Sequence, residues 1–192
     1  GVGRSTMNIG NAYFSENTYM NHAAVNPAFS LMYSWNKSEN FAEKYNYLDE
    51  HKRAACYAPL YPASTEDCTR QLLRATRPNI LIIILEGFGG EYIEELGGAK
   101  NVSPNISRLI REGIFFDNVY ANSFRTDRGL VSTLSGHISY PTTSIMKLPA
   151  KSRLLPGIAR TLQQAGYQTD FLYGGDINFT NMRSYFTTTG YQ

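Results

Sequence analysis

The sequence predicts an α/β fold, a largely parallel sheet flanked by helices, incomplete at its carboxyl end and preceded by a mostly helical or irregular arm. Three observations predict it. Residues 80–85 are an unbroken Ile/Leu run that stops at a single carboxylate, Glu86, followed at once by Gly87, Gly89 and Gly90. Continuous apolar runs of this length read as strands covered on both faces. Beyond Pro78, apolar runs alternate with segments of helical periodicity, the layout of a parallel sheet with crossover helices. Before residue 77 the composition changes: Asn, small residues and scattered aromatics replace that regular text.

The elements follow in order. After Pro27, residues 29–35 suit a helix, because proline is tolerated in a first turn. Residues 39–53 are charged, with Phe41, Tyr45 and Leu48 spaced apolar, and read as one exposed helix. Pro59, Pro62 and the polar residues 64–67 read as a linker. We therefore expect residues 1–76 to be an arm and linker, and residues 77–192 to begin the α/β domain. Within the latter, Ser103 as N-cap, Pro104 in the first turn and Gly113 at the stop mark a helix. Residues 114–120 read as a second strand and 168–173 as a third. Helices are expected over 126–134, 155–165 and 181–188.

Composition excludes some classes. The 192 residues carry a formal net charge of +2 and no Lys/Arg-rich block, so nucleic acid is not an expected partner. No apolar run approaches the roughly 18–20 residues of a membrane span. Cys56 and Cys68 lie twelve positions apart, outside any metal-ligand or redox spacing. A local disulfide in an oxidising compartment and two free thiols elsewhere are equally compatible with them. The chain opens at Gly1 without a Met and stops abruptly after an expected helix, and we read it as a piece of something longer.

Two positions carry candidate chemistry. Glu86 would stand at the carboxyl end of the first strand, where open α/β sheets keep their ligands, and the glycines after it allow a sharp turn. It reads equally well as the first solvated residue after a core strand. The second position is Thr126, a hydroxyl at a helix start between Arg125 and Arg128. Free N–H groups, the helix dipole and forked arginine donors there favour an anion, although Thr126 or Asp127 also suits a plain helix cap. Asp176, after Gly174 and Gly175, stands at the third strand's end and either faces the same cleft or caps the next helix. His137 beside Gly136 reads as a hydrogen-bonded loop histidine. Neither a dinucleotide fingerprint nor a nucleophile elbow is present, since Tyr92 replaces the third glycine of the one and the other needs Gly two positions before its serine.

Taken together, Pro78 to Phe88, Asn122 to Gly129 and Phe171 to Arg183 resemble the sulfatase-like branch of the alkaline phosphatase superfamily. Within it the likeness is to the lipoteichoic acid synthase and phosphoglycerol transferase group, and Pro104 to Leu109 fits the helix those proteins place after the first strand. The resemblance covers residues 77–192. It implies an alkaline-phosphatase-like sheet and a divalent metal ion (Mn, Mg or Zn) with Glu86 as one carboxylate ligand. It makes Thr126 both nucleophile and metal ligand, passing through a phosphothreonine intermediate, with Arg125, Arg128 and Asp176 as candidate substrate contacts.

It also implies a lipid-linked phosphodiester or glycan substrate. The catalytic domain is then expected on the extracytoplasmic, periplasmic side of the cell membrane, held by a membrane segment absent from this chain. Two departures matter. Family members complete the metal site with an Asp-His pair, but this chain has His22, His51 and His137 and no such dipeptide. The missing ligands are expected beyond Gln192, which would leave this piece inactive. Sulfatases proper place a Cys or Ser in a Cys/Ser-x-Pro-x-Arg setting that is oxidised to formylglycine. Here Thr126 is followed by Asp127 and Arg128 without a proline, which favours phosphoryl transfer. The alternatives are a phosphatase, phosphodiesterase or sulfatase-like hydrolase of the same superfamily, or a non-catalytic binding relative.

Overall fold

The structure is a computed structural model that describes residues 12–15, 17–37, 40–61, 66–67 and 69–192. The expected linker residues 62–65, Cys68 and the start of the expected helix at residue 39 lie outside them. The chain forms two compact units: the described residues of Gly1–Leu31 with Glu86–Gln192, and Met32–Leu85.

In chain order the described helices are α1 (Thr18–Ala24), α2 (Pro27–Lys37), α3 (Phe41–Lys44), α4 (Glu50–Tyr57), α5 (Pro104–Glu112), α6 (Thr126–Ser135), α7 (Pro149–Ser152), α8 (Ile158–Gln164) and α9 (Met182–Thr189). Asn17, Asn40 and Asp49 cap α1, α3 and α4, each accepting a backbone N–H of the first turn. The single helix expected over 39–53 is therefore two. Asp49 Oδ1 accepts from Lys52 N at 2.9 Å and starts a new helix, so α3 ends at Lys44. Ser103 sits at the N-cap of α5 as expected, but its hydroxyl donates to the Tyr92 carbonyl instead of capping.

The first unit's core lies under α6. Leu130, Val131 and Leu134 on its inner face are buried, as are Met146 in the 3₁₀ turn Ile145–Lys147, Ala159 of α8, and Met182, Tyr185 and Phe186 of α9. Fully burying a Leu, Val, Met or Phe side chain is worth about 1.5–3 kcal/mol. The Tyr185 hydroxyl meets Ser135 Oγ at 2.6 Å, joining α9 to the last turn of α6. Helix α6 ends at Gly136, whose φ of +64° is a left-handed C-terminal stop. At the other end of the loop from Glu86 to α5, Gly98 is enclosed by the carbonyls of Gly90, Glu91 and Ile93; an added Cβ would lie 2.6–2.7 Å from them.

Among the described residues no β-ladder forms. The runs 80–85, 114–120 and 168–173 carry no regular secondary structure. Near the third, Gln192 N donates to Thr169 O (3.0 Å) and Phe171 N to Gln192 O (3.4 Å). Residues 80–85 leave their apolar side chains exposed, and the exposure alternates along the run: 50, 84, 45, 70, 45 and 52%.

Candidate functional site

Glu86 and Thr126 belong to the same unit, and the structure brings them into contact. The Thr126 hydroxyl donates to Glu86 Oε1 at 2.7 Å across forty positions of sequence. Each is placed by its local backbone. Glu86 leads into a turn whose next residue, Gly87, has φ +68°, a conformation that strains any L side chain. Thr126 is the first residue of α6. The residue before it, Arg125, is in the extended region (φ −120°, ψ 138°) and provides no side-chain cap. The hydroxyl therefore stands at a helix amino terminus whose first N–H groups lack a capping side chain, at the positive end of the helix dipole.

The flanking charges are arranged around Asp127. This carboxylate is 2% exposed; its Oδ1 accepts from Arg125 Nε at 3.2 Å, and its Oδ2 lies 3.8 Å from Lys147 Nζ with no hydrogen bond. Arg125 and Lys147 are about half exposed. Arg128 is turned the other way, donating to the Pro141 carbonyl at 3.2 Å with its guanidinium over the Phe124 ring. Asp176 is folded into its own turn, its Oδ1 accepting from Asn178 N (2.9 Å) and Nδ2 (3.0 Å). Of the five candidate residues, then, Glu86 and Thr126 meet, Arg125 is held one residue away on Asp127, and Arg128 and Asp176 are engaged with other partners.

Sequence reading did not pick out the brace behind this pair. Asn122 Oδ1 accepts from Ser139 N (2.6 Å) and from Ser132 Oγ (3.0 Å), and Ser132 Oγ also lies 2.9 Å from the His137 carbonyl. These bonds tie the loop entering α6 to the loop leaving it. Lys147 was missed as well. No motif marks either, because both depend on where the 3₁₀ turn and loop return in space. His137 packs edge-on against Tyr140, and burial lowers its pKa, keeping the neutral ring.

Glu86 and Thr126 offer two hard oxygen donors, the type that Mg²⁺ and Mn²⁺ prefer. Their 2.7 Å separation fits adjacent ligands of one ion with metal–oxygen bonds near 2.0–2.5 Å. Among the described residues, no three His, Cys, Asp or Glu side chains gather closely enough to hold a metal. The donor set thus fits a divalent ion but supplies part of its shell.

The Thr126 hydroxyl thus stands at a helix terminus without a side-chain cap and donates to a carboxylate. Residues 78–192 match the Sulfatase family, and the chain belongs to that family of metal-dependent enzymes. It is similar to an N-acetylglucosamine-6-O-sulfatase of Bacteroides thetaiotaomicron, 30% identical over 115 residues, covering 58% of this chain and 20% of that protein. It is also similar to an ulvan-active sulfatase of Formosa agariphila, 31% identical over 117 residues, covering 54% of this chain and 20% of that protein. The matched part of the chain thus spans a fifth of either relative. No solved structure matches it.

Proposed function

We propose that Thr126 is the nucleophile of a metal-dependent phosphoryl-group transfer, taking a phosphoglycerol- or phosphoethanolamine-type group from a lipid phosphodiester onto its Oγ and passing it to an acceptor alcohol. The observation that carries this reading is the 2.7 Å hydrogen bond from Thr126 to Glu86. The carboxylate orients the hydroxyl, leaving the Oγ lone pairs free to face a phosphorus atom beyond the amino terminus of α6. In the first step the Oγ–P bond forms, the P–O bond to the lipid alcohol breaks, and that alkoxide takes up a proton. In the second, the acceptor oxygen attacks phosphorus, the Oγ–P bond breaks, and Thr126 recovers its proton.

A carboxylate alone is far too weak a base to ionise an alcohol. Glu86 and Thr126, with further ligands, would hold a divalent ion, which when bound would supply the missing acidity and neutralise charge on the phosphoryl oxygens. The amino-terminal N–H groups of α6 and the cations Arg125 and Lys147 add positive potential on the same side. An extracytoplasmic domain acting on membrane-linked donors belongs to this proposal, as does an α/β sheet ending at Glu86. The first is supported by sequence likeness to the phosphoglycerol transferase group, the second by the two-residue alternation in exposure along residues 80–85.

The names of the two relatives favour a second reading, hydrolysis of a sulfate ester on a glycan. Against it stands the chemistry of residue 126: oxidising a threonine at Cβ yields a ketone, which hydrates far less than the aldehyde formylglycine. The two readings separate in the complete enzyme. With a lipid phosphodiester and Mn²⁺, mass spectrometry of the acid-quenched protein should find the transferred group on Thr126. Thr126→Ala should abolish turnover. Glu86→Gln and Glu86→Asp, which remove the charge and the reach respectively, should each cost at least about a hundredfold in kcat. Phosphodiester turnover that survives Thr126→Ala would overturn the proposal; release of sulfate from a sulfated glycan without any phosphodiester activity would establish the second reading.

A further inference from the structure

The second unit contains a hollow of its own. Between α3 and the start of α4, a depression of about 410 Å³ is lined by Phe41, Tyr45 and Tyr47 with Leu48, Asn46 and Arg53. That volume lies within the roughly 300–1,000 Å³ of small-molecule sites, which are mostly apolar with a few convergent polar groups. We propose that this hollow binds an anionic sugar, a pyranose ring bearing a sulfate, carboxylate or phosphate.

The ring chemistry comes first. Phe41 and Tyr45 lie with ring centroids 5.9 Å apart at 51°, and Tyr45 and Tyr47 at 6.4 Å and 63°. Tyr47, the last of the three, is 73% exposed. An aromatic face of negative quadrupole attracts the weakly positive axial C–H groups of a pyranose and excludes water from them. The hydroxyl of Tyr47 has no partner among the described residues and is available to a sugar hydroxyl.

Polarity then selects the ligand. Arg53 Nη2 donates to Asn46 Oδ1 at 3.3 Å, which fixes the two side chains relative to each other and occupies one acceptor. What remains is donor-rich: the Asn46 amide N–H groups and most of the five guanidinium N–H groups. A donor-rich wall favours a ligand rich in acceptors, and the forked guanidinium suits a planar or tetrahedral oxyanion. The nearby carboxylate Asp49 is occupied by Lys52, at 3.3 Å, and by its capping role. Lys44 Nζ lies 5.5 Å over the Tyr45 ring.

The test uses the full 192-residue chain, isothermal titration calorimetry and three probes: 6-O-sulfo-N-acetylglucosamine, unsulfated N-acetylglucosamine and inorganic sulfate. The sulfated sugar should bind at least about tenfold more tightly than either other probe, because neither alone satisfies rings and guanidinium together. Tyr47→Ala and Arg53→Ala should each weaken it about tenfold, while Arg53→Lys should recover part of the loss. Both positions are exposed, and unchanged circular dichroism checks that the variants fold. Thr126→Ala should leave sugar binding untouched, so failure here and failure of the catalytic reading remain distinguishable. Equal affinity for inorganic sulfate would reduce the hollow to a cationic patch and overturn the sugar assignment. Binding unchanged in Tyr47→Ala and Arg53→Ala, or no binding, would overturn the proposal as well.

Discussion

At the scale of single residues, neighbours decide what a functional group does. Thr126 and Glu86 become a pair because each stands at the end of its element, one at a helix start and the other at a glycine turn. Tyr185 is the opposite case, a polar group that is fully buried. Its hydroxyl reaches Ser135, yet desolvation dominates and pushes its pKa up to about 12 from an ordinary 10. The folded state thus holds the phenolic proton more tightly than the unfolded state does. Its contribution to stability is complete below pH 10 and is lost as pH rises from 10 through 12. The loss is on the order of 2–3 kcal/mol, since each tenfold gain in proton affinity on folding corresponds to about 1.4 kcal/mol. Urea denaturation at pH 9 and pH 11.5 should show that decline. Tyr185→Phe should flatten it while costing about 1 kcal/mol at neutral pH through the lost hydrogen bond. An equally steep alkaline decline in the phenylalanine variant would place the titration elsewhere.

At the scale of elements, the sequence was most legible where local signals terminate helices. Pro27 and Pro104 begin α2 and α5, Gly136 ends α6, and Thr126 opens α6 at the position its pattern predicts. The break between α3 and α4 was legible too, in Asp49 followed three residues later by Lys52 N–H, but charge periodicity across 39–53 masked it. Strands were a different matter. A strand is completed by the backbone of its neighbours, so a sequence pattern can nominate residues 80–85 without supplying what they pair with. The site divides the same way: Thr126 and Glu86 carry local signatures, whereas Asn122, Ser132 and Lys147 depend on long-range return of the chain. If residues 80–85 are a central strand of the complete sulfatase-family domain, Leu81 has two roles. At 84% exposure in this chain, Leu81→Asp should change its stability by less than about 0.5 kcal/mol. In a protein carrying the whole domain, the same substitution buries a charge in the sheet and should prevent folding. Comparable stability of wild type and variant in the whole domain would remove the strand proposal.

At the scale of the whole molecule, the proposed site offers two ligating oxygens, those of Glu86 and Thr126. Among the described residues no helix is long and apolar enough to cross a membrane, and no three ligating side chains converge. As proposed, Glu86 and Thr126 would contribute two oxygens to an ion that takes about six ligands, and in this chain water would fill the remainder. A shell completed mainly by water competes poorly with the fully hydrated ion, and coupling to stability follows RT ln(1 + [L]/Kd). The thermal midpoint of the 192-residue chain should therefore move by less than about 1 °C when Mn²⁺ is raised to about 1 mM, with or without Glu86→Gln. In a protein spanning the full length of its sulfatase-family relatives, the same addition should raise the midpoint by several degrees, and Glu86→Gln should remove most of that rise. Tight Mn²⁺ binding by the 192-residue chain, abolished in Glu86→Gln, would mean that its own side chains complete the shell. A metal-dependent rise in the longer protein that ignores Glu86→Gln would strike Glu86 from the ligand set and leave its carboxylate the single task of orienting Thr126.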